Sequence, residues 1–436
     1  MARKRLALAV LMNGRKVGRL DRDANGIIGF AYDQTWLDWL DAIPVSLSLP
    51  LQEGRKTGNS VADFFDNLLP DNVQIRRHLA ERVGARGIDA FSLLDAVGRD
   101  CVGALQFIPE GSDPGNSTII EGEPIDEAEI ADILRNLKRA PLGSGVEREF
   151  RISIAGAQDK TALLRRDGRW EIPRGTTPTT HILKPAIGQL PNGLDLTASV
   201  ENEHFCLTLL GELGLPTTRS EIALFGDIHV LVVERFDRLW SSDRLWSSDR
   251  LFRRPQEDMC QALNVPWTLK YQSEGGPSIR QIMDLLLASD KAEADRANFF
   301  RAQILFWLLG ATDGHAKNFS IHLNPGGRFS MTPIYDVLSA QPNVDMNQIQ
   351  PKEFKLAMAI GDNRHYPVNS IVPRHYYQTA NKTGLPKDTV DEVFTRLSSD
   401  LPAAIERTIA TMPKGFPSRI AESIAGGVTR RLRLAT

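Results

Sequence analysis

The chain has 436 residues, enough for two or three domains of ordinary size. Its 42% hydrophobic and 24% charged residues exclude a disordered chain, a collagen-like chain and a coiled-coil rod. No apolar run reaches the roughly 18–20 residues of a membrane span, and 52 Lys and Arg against 54 Asp and Glu give a net charge of −2, with no global field towards polyanions.

Leu6–Met12 follows Arg3-Lys4-Arg5 and imitates a short export signal, but it ends at Asn13-Gly14 with no small-residue cleavage site. Asn-Gly between two strand-like runs is the signature of a type I′ hairpin, with Val17–Leu20 as the returning strand. Ile27–Tyr32 and the alternating Pro44–Leu51 read as strands, and Asn59–Leu69 and Gln74–Val83 as helical. Pro109–Gly122 has linker composition, Asp126–Arg139 reads as an amphipathic helix, and Pro141–Glu149 is a second soft connection. The expected boundary lies near 145. It divides a β-rich domain, 1–145, that forms part of an N-lobe from a catalytic domain, 146–436. Cys101, Cys206 and Cys260 are spaced for neither a disulfide framework nor zinc, and read as reduced thiols of a cytoplasmic protein.

Lys160–Arg165, Asp167-Gly168 and Arg169–Ile172 form a predicted hairpin. Ile182–Lys184 is a further strand, Ser199–Leu213 a helix stopped by Gly214, and Val230–Phe236 an apolar strand. Leu-Trp-Ser-Ser-Asp-Arg occurs at 239–244 and again at 245–250, a duplicated surface loop with no chemistry in it. Beyond 255 helices dominate. The class is therefore α+β, with a β-rich part followed by a helical part.

The chemistry concentrates in Thr312-Asp313-Gly314-His315-Ala316-Lys317-Asn318, after the apolar helix Phe299–Leu309 that stops at Gly310. Asp313 and Asn318 have the D-x-x-x-x-N spacing of a kinase catalytic loop, in which the Asp orients a hydroxyl nucleophile and the Asn ligates Mg²⁺. A hairpin through Asn324–Gly327 then brings Asn318 back beside Tyr335-Asp336, so Asn318 and Asp336 are the candidate metal ligands. A lone Asp here would read as a turn or cap residue; three polar groups in this arrangement favour a metal site. Ala155, Gly156, Ala157, Gln158, Asp159 and Lys160 resemble half a phosphate loop, but the full G-x-x-x-x-G-K-[ST] is absent, which disfavours a P-loop ATPase. Small residues before a hairpin still let backbone N–H groups approach phosphates. Lys184 ends the next strand, where a kinase carries its phosphate-pairing lysine, and Glu203 is preferred to Glu201 as the carboxylate that orients it. Glu234, Arg235 and Phe236 fall where a hinge, 234–238, would hold adenine. His315, Lys317 and Tyr335 are assigned to the nucleotide as well.

The order of phosphate loop, strand Lys, helical Glu, hinge, D-x-x-x-x-N and metal Asp resembles that of the HipA-like serine/threonine kinases, toxin components of bacterial toxin–antitoxin modules. The resemblance is carried by 152–161, 179–184, 233–238, 255–261 and 310–320, and by Phe64–Asp71 near the N-terminus. It covers nearly the whole chain, and the duplicated segment is the main departure. It implies a bilobal protein-kinase-like fold, ATP and Mg²⁺ as cofactors, and autophosphorylation at Ser153. It also implies a protein substrate of the translation apparatus (glutamyl-tRNA synthetase), and a dimeric helix-turn-helix antitoxin on operator DNA. Two rivals remain: a small-molecule or lipid kinase, for which Ser153 in the phosphate loop has no role, and an idle co-repressor, which would need none of Lys184, Asp313, Asn318 and Asp336. Residues 369–436 carry ten Lys/Arg and six Asp/Glu, with Lys382 the candidate DNA contact.

Overall fold

The computed structural model describes residues 6–138, 156, 158–241 and 250–434. Its first unit is an antiparallel sheet of order β4-β3-β2-β1-β5, from β1 (Leu6–Met12), β2 (Arg15–Arg22), β3 (Ile28–Tyr32), β4 (Arg55–Thr57) and β5 (Leu105–Pro109). Asn13 and Gly14 join β1 to β2 with φ of 47° and 81°, the positive values a type I′ turn requires at both positions. Helices α1 (Gln34–Leu37), α2 (Asn59–Asp66), α3 (Val73–Val83) and α4 (Ala90–Val97) accompany this sheet. Its core centres on Phe65, whose ring lies 5.6 Å from that of Phe30 and 5.7 Å from that of Phe107.

The second antiparallel sheet, of order β12-β13-β9-β7-β8-β6, uses β6 (Gly122–Pro124), β7 (Thr161–Arg166), β8 (Arg169–Pro173), β9 (His181–Pro185), β12 (Ser220–Phe225) and β13 (Ile228–Glu234). A minor hairpin, β10 (Gly188–Gln189) and β11 (Asp195–Leu196), precedes α6 (Ser199–Glu212). Helix α5 (Glu127–Arg135) starts at a capping box between Asp126 and Glu129 and buries Ile130 and Leu134 against Leu163, Leu183 and Val230 of this sheet. By pairing and packing, β6 and α5 therefore lie on the far side of the expected boundary near 145, with the second sheet.

After the hinge, β14 (Arg238–Ser241) pairs with β15 (Arg250–Arg253), so the flanks of the duplicated segment are a β-hairpin; 242–249 lie outside the described residues. The helical lobe follows: β16 (Gln256–Asp258), α7 (Met259–Ala262), α8 (Ile279–Leu285), α9 (Ala292–Leu309), β17 (Ser320–Leu323), β18 (Phe329–Met331), α10 (Gln341–Asp345), β19 (Lys355–Ile360), β20 (His365–Pro367), α11 (Pro373–Thr383), α12 (Lys387–Thr411) and α13 (Ser418–Leu432). Helix α9 is apolar all round over its last turns because it runs through the lobe's core. It stops at Gly310, at φ 65°, where a Cβ would meet the Phe354 ring.

The strand expected at Pro44–Leu51 is instead a tight bend with a Ser46–Leu49 bridge. Its alternation has another cause. Val45 and Leu49 enter the first core, while Ser46 Oγ (2.5 Å) and Leu47 N–H (2.8 Å) donate to the buried Glu257 carboxylate of β16. This contact joins the first unit to the helical lobe.

Candidate active site

Strand alternation in β9 sends Leu183 into the core under α5 and Lys184 to the opposite face, into the cleft between the lobes. Lys184 Nζ donates to Glu203 Oε1 of α6 at 2.8 Å and to Asp336 Oδ1 at 2.9 Å. Burial opposes the lysine's charge, but Asp336 and Glu203 together outweigh it and raise its pKa. Burial likewise opposes the charge on Asp336, and Lys184 and Lys160 outweigh it, holding that carboxyl well below the usual range. The cleft therefore keeps a Lys⁺–Asp⁻ pair where an anionic nucleotide would enter. Glu201, the alternative carboxylate, points away, 3.4 Å from His229 Nδ1.

The loop after α9 carries Asp313, whose side chain is exposed and accepts a hydrogen bond from the Tyr271 hydroxyl. Asn318 Nδ2 donates to Asp313 O at 2.7 Å and to Asp336 O at 3.4 Å, tying the loop to the segment returned by β17 and β18. Asp336 has φ 58°, left-handed backbone that aims its carboxylate back at Lys184. Both Asn318 bonds use Nδ2, leaving Oδ1 for a cation, and Lys184 occupies Asp336 Oδ1, leaving Oδ2. Both residues line the same cleft, and hard oxygen donors of this kind suit Mg²⁺, which completes its shell with phosphate oxygens and water.

Gly156 (φ 112°) and Lys160 face this centre. A Cβ on Gly156 would lie 2.4 Å from Lys160 Nζ, so glycine is needed for the lysine's approach as well as for the backbone. Burial, then the neighbouring Lys184, lower the Lys160 pKa to about 8. Gln158 Nε2 donates to Pro185 O at 2.9 Å, which fastens this segment to β9, and Asp159 is partly exposed beside it. Ser153, Ala155 and Ala157 lie outside the described residues.

At the hinge, Glu234, Phe236 and Tyr335 line the cleft, with the Phe236 and Tyr335 rings 5.5 Å apart. Two residues assigned to the nucleotide have their charged groups engaged elsewhere. The Arg235 guanidinium is buried against Asp237 (2.8 Å), Asp100 (3.3 Å), Thr179 Oγ1 and Cys101 O, and braces the hinge. All three Lys317 N–H groups are used, on Asn67 O (3.1 Å), Asn67 Oδ1 (2.9 Å) and Asp258 Oδ2 (2.6 Å), so it anchors the loop to the first unit. His315 is buried beside Tyr271, its pKa lowered by desolvation, with Nδ1 lacking a hydrogen-bond partner among the described residues. Lys382, on α11, lies far along the chain from this centre and is ion-paired to Asp362 at 2.9 Å.

Sequence reasoning assigned no site role to Asn67, Asp71, Gln256, Lys270 or Tyr271. Asn67, Asp71, Gln256 and Lys270 line the cleft. Asp71 donates its N–H to Gly156 O at 3.1 Å and pairs with Lys270 at 3.1 Å. The Phe64–Asp71 run pointed here only through the family resemblance; its sequence has no catalytic spacing.

Two family models match the chain, the HipA N-terminal domain over residues 8–108 and the HipA-like C-terminal domain over 152–405. A Sinorhizobium fredii protein named "Putative kinase Y4mE" is 38% identical over 81% of this chain and 80% of its own. The serine/threonine-protein kinase toxin HipA of Shewanella oneidensis is 28% identical over 94% of this chain and 91% of its own. A solved structure from the same organism, a complex of HipA, HipB and its operator DNA, matches with a TM-score of 0.80 and 26% identity, covering 98% of this chain and 97% of the other.

Proposed function

The chain belongs to the HipA-like family of serine/threonine protein kinases, and from that premise we propose that it transfers the γ-phosphoryl group of ATP with Asp313 as base and Asn318 and Asp336 as Mg²⁺ ligands. The observation that carries this reading is the bridge from Lys184 to both Glu203 and Asp336. A buried lysine between two carboxylates is preorganised to meet phosphate oxygens, and water is already excluded from it. When bound, Mg²⁺ would neutralise charge on the phosphates. The hinge, with Glu234 and Phe236, holds adenine, and Tyr335 packs beside Phe236. Gly156, Lys160 and Lys184 face the phosphates. Asp313 orients the substrate hydroxyl and accepts its proton as that oxygen bonds to the γ-phosphorus and the bridge to ADP breaks.

The family premise extends the reading to partners. The protein acts as the toxin of a toxin–antitoxin module, phosphorylates a translation component of the glutamyl-tRNA synthetase type, and joins a helix-turn-helix antitoxin dimer as co-repressor on operator DNA. The solved HipA–HipB–operator complex supports the antitoxin and operator part of this reading, and the substrate rests on the family resemblance alone. Autophosphorylation at Ser153, three residues before Gly156 in the chain, would add about −1.5 to −2 charges and switch the protein off by repelling ATP.

Incubation with Mg²⁺ and radiolabelled ATP should label the protein, with phosphate on Ser153 by mass spectrometry. Asp313→Ala should lower labelling about 10²–10⁴-fold while ATP binding survives. Full labelling of that variant, or an unlabelled parent, overturns the assignment.

A further inference from the structure

Tyr271 stands between two short 3₁₀ turns, Trp267–Leu269 and Gln272–Glu274, in a segment that touches both the first unit and the catalytic loop. At its start the Trp267 indole N–H donates to Asp66 Oδ2 of α2 at 2.5 Å, and the Arg76 guanidinium of α3 lies 4.9 Å from the Trp267 ring centroid. One turn on, Lys270 pairs with Asp71 at 3.1 Å, and its carbonyl accepts the N–H of Ala316, inside the catalytic loop, at 3.3 Å. The next residue, Tyr271, packs edge-on against His315, ring centroids 5.0 Å apart, and its hydroxyl donates to Asp313 Oδ1. The far end is also fixed. Gly276 N–H donates to Tyr271 O at 2.9 Å, a Cβ on Gly276 would lie 2.0 Å from Leu269 O, and Gln272 Oε1 accepts from Ala359 N–H at 2.8 Å.

We propose that residues 267–271 form a strut through which the N-terminal unit sets the catalytic base, with Tyr271 as the positioning residue. A carboxylate on an exposed loop rotates freely about its χ angles. A phenol held by its own ring contacts and hydrogen-bonded to Oδ1 removes that freedom and leaves Oδ2 to receive the substrate hydroxyl. Base geometry then depends on Asp66, Arg76 and Asp71, residues of a unit that supplies no catalytic group. The inference rests on the kinase reading and on Asp313 as base.

The test is a double-mutant cycle on the full chain. Tyr271→Phe keeps the ring against His315 and removes the hydroxyl; Trp267→Phe removes the indole N–H at a site outside the cleft. For phosphate incorporation from Mg-ATP, Tyr271→Phe should lower the limiting rate at least about tenfold with half-saturating ATP unchanged. Trp267→Phe should lower it less, and adding Trp267→Phe to Tyr271→Phe should cost nothing further, since residues acting along one path are non-additive. A Tyr271→Phe rate within twofold of the parent, multiplying effects, or a parallel loss of ATP affinity overturns the strut. An inactive parent overturns the kinase reading and this inference with it. An active parent indifferent to Tyr271→Phe overturns this inference alone.

Discussion

Asp336 couples a backbone demand to a charge demand. At φ 58° it occupies the left-handed region, which disfavours most L-residues and which Asn and Asp tolerate best. Its carboxylate must also pair with Lys184. Asp336→Asn satisfies the first demand and fails the second, and because Lys184 keeps Glu203 at 2.8 Å the variant should still fold. Mg²⁺-dependent ATP binding should weaken at least about tenfold, about 1.4 kcal/mol, by calorimetry. Unchanged Mg²⁺ dependence would remove Asp336 from the metal site. The proximity of Asp336 to Asn318 could be reasoned from sequence because the Asn324–Gly327 turn dictates a return of the chain. The engagement of Arg235 and Lys317 could not. Each looks like a free cation in a motif, and although Asp237 lies two residues from Arg235, the partners that tie these side chains to the first unit, Asp100 and Asn67, are well over a hundred residues away.

At the scale of elements, the hinge is held by ions. Asp100, in the turn before β5, accepts from Arg238 at 2.9 Å and Arg253 at 3.1 Å, with Arg235 at 3.3 Å, all buried. Burial would raise the Asp100 pKa, but the three guanidinium groups outweigh it and hold the carboxyl well below its ordinary value. Asp100→Asn leaves Arg235 and Arg238 sharing Asp237 and the buried Arg253 with backbone carbonyls only, which should cost about 3–5 kcal/mol, measured by urea denaturation; a loss under 1 kcal/mol would show the network to be dispensable. Elements were legible where local chemistry forces them, as at Asn13-Gly14, Asp167-Gly168 and Gly310. They were misread where the pattern served a tertiary contact. Pro44–Leu51 alternates because Val45 and Leu49 enter the first core while the Ser46 side chain reaches Glu257. The linker composition up to Gly122 concealed that the chain then adds β6 and α5 to the second sheet, and α4 and β5 went without any sequence expectation. We propose that the units divide within 110–121.

For the whole molecule, the half-buried His181 and the buried His322 oppose the buried Glu203 and Glu257 in setting how stability follows pH. Burial, then Arg165, push His181 down to about 4, and burial, then Arg254, push His322 down to about 3. The unfolded chain binds protons near the ordinary value of about 6.5 while the fold refuses them. The contribution of these histidines to stability is therefore full above about pH 6.5 and falls as the pH drops towards 4. Burial instead raises Glu203 to about 7 and Glu257 to about 8, and the contribution of these carboxyls is full at low pH and lost as the pH rises through those values. The change in urea midpoint from pH 7.5 to 5.0 should therefore favour folding more in His322→Gln than in the parent, and an identical change in the two would contradict this environment of His322. Charge also bears on the proposed operator complex. The net charge is −2, and the basic excess of the C-terminal region is largely neutralised in place. Lys382 pairs with Asp362, Lys387 with Asp391, Arg396 with Glu392, Arg407 with Glu212 and Arg430 with Asp345. DNA affinity depends on displacing counterions from several phosphates at once, and paired side chains do this poorly. The protein alone should therefore bind operator DNA no tighter than about 10⁻⁶ M at physiological salt. Fluorescence anisotropy should show that weak binding vanish with added salt and tight binding appear only with the antitoxin present. Nanomolar binding without a partner would require a basic face that these ion pairs do not leave open.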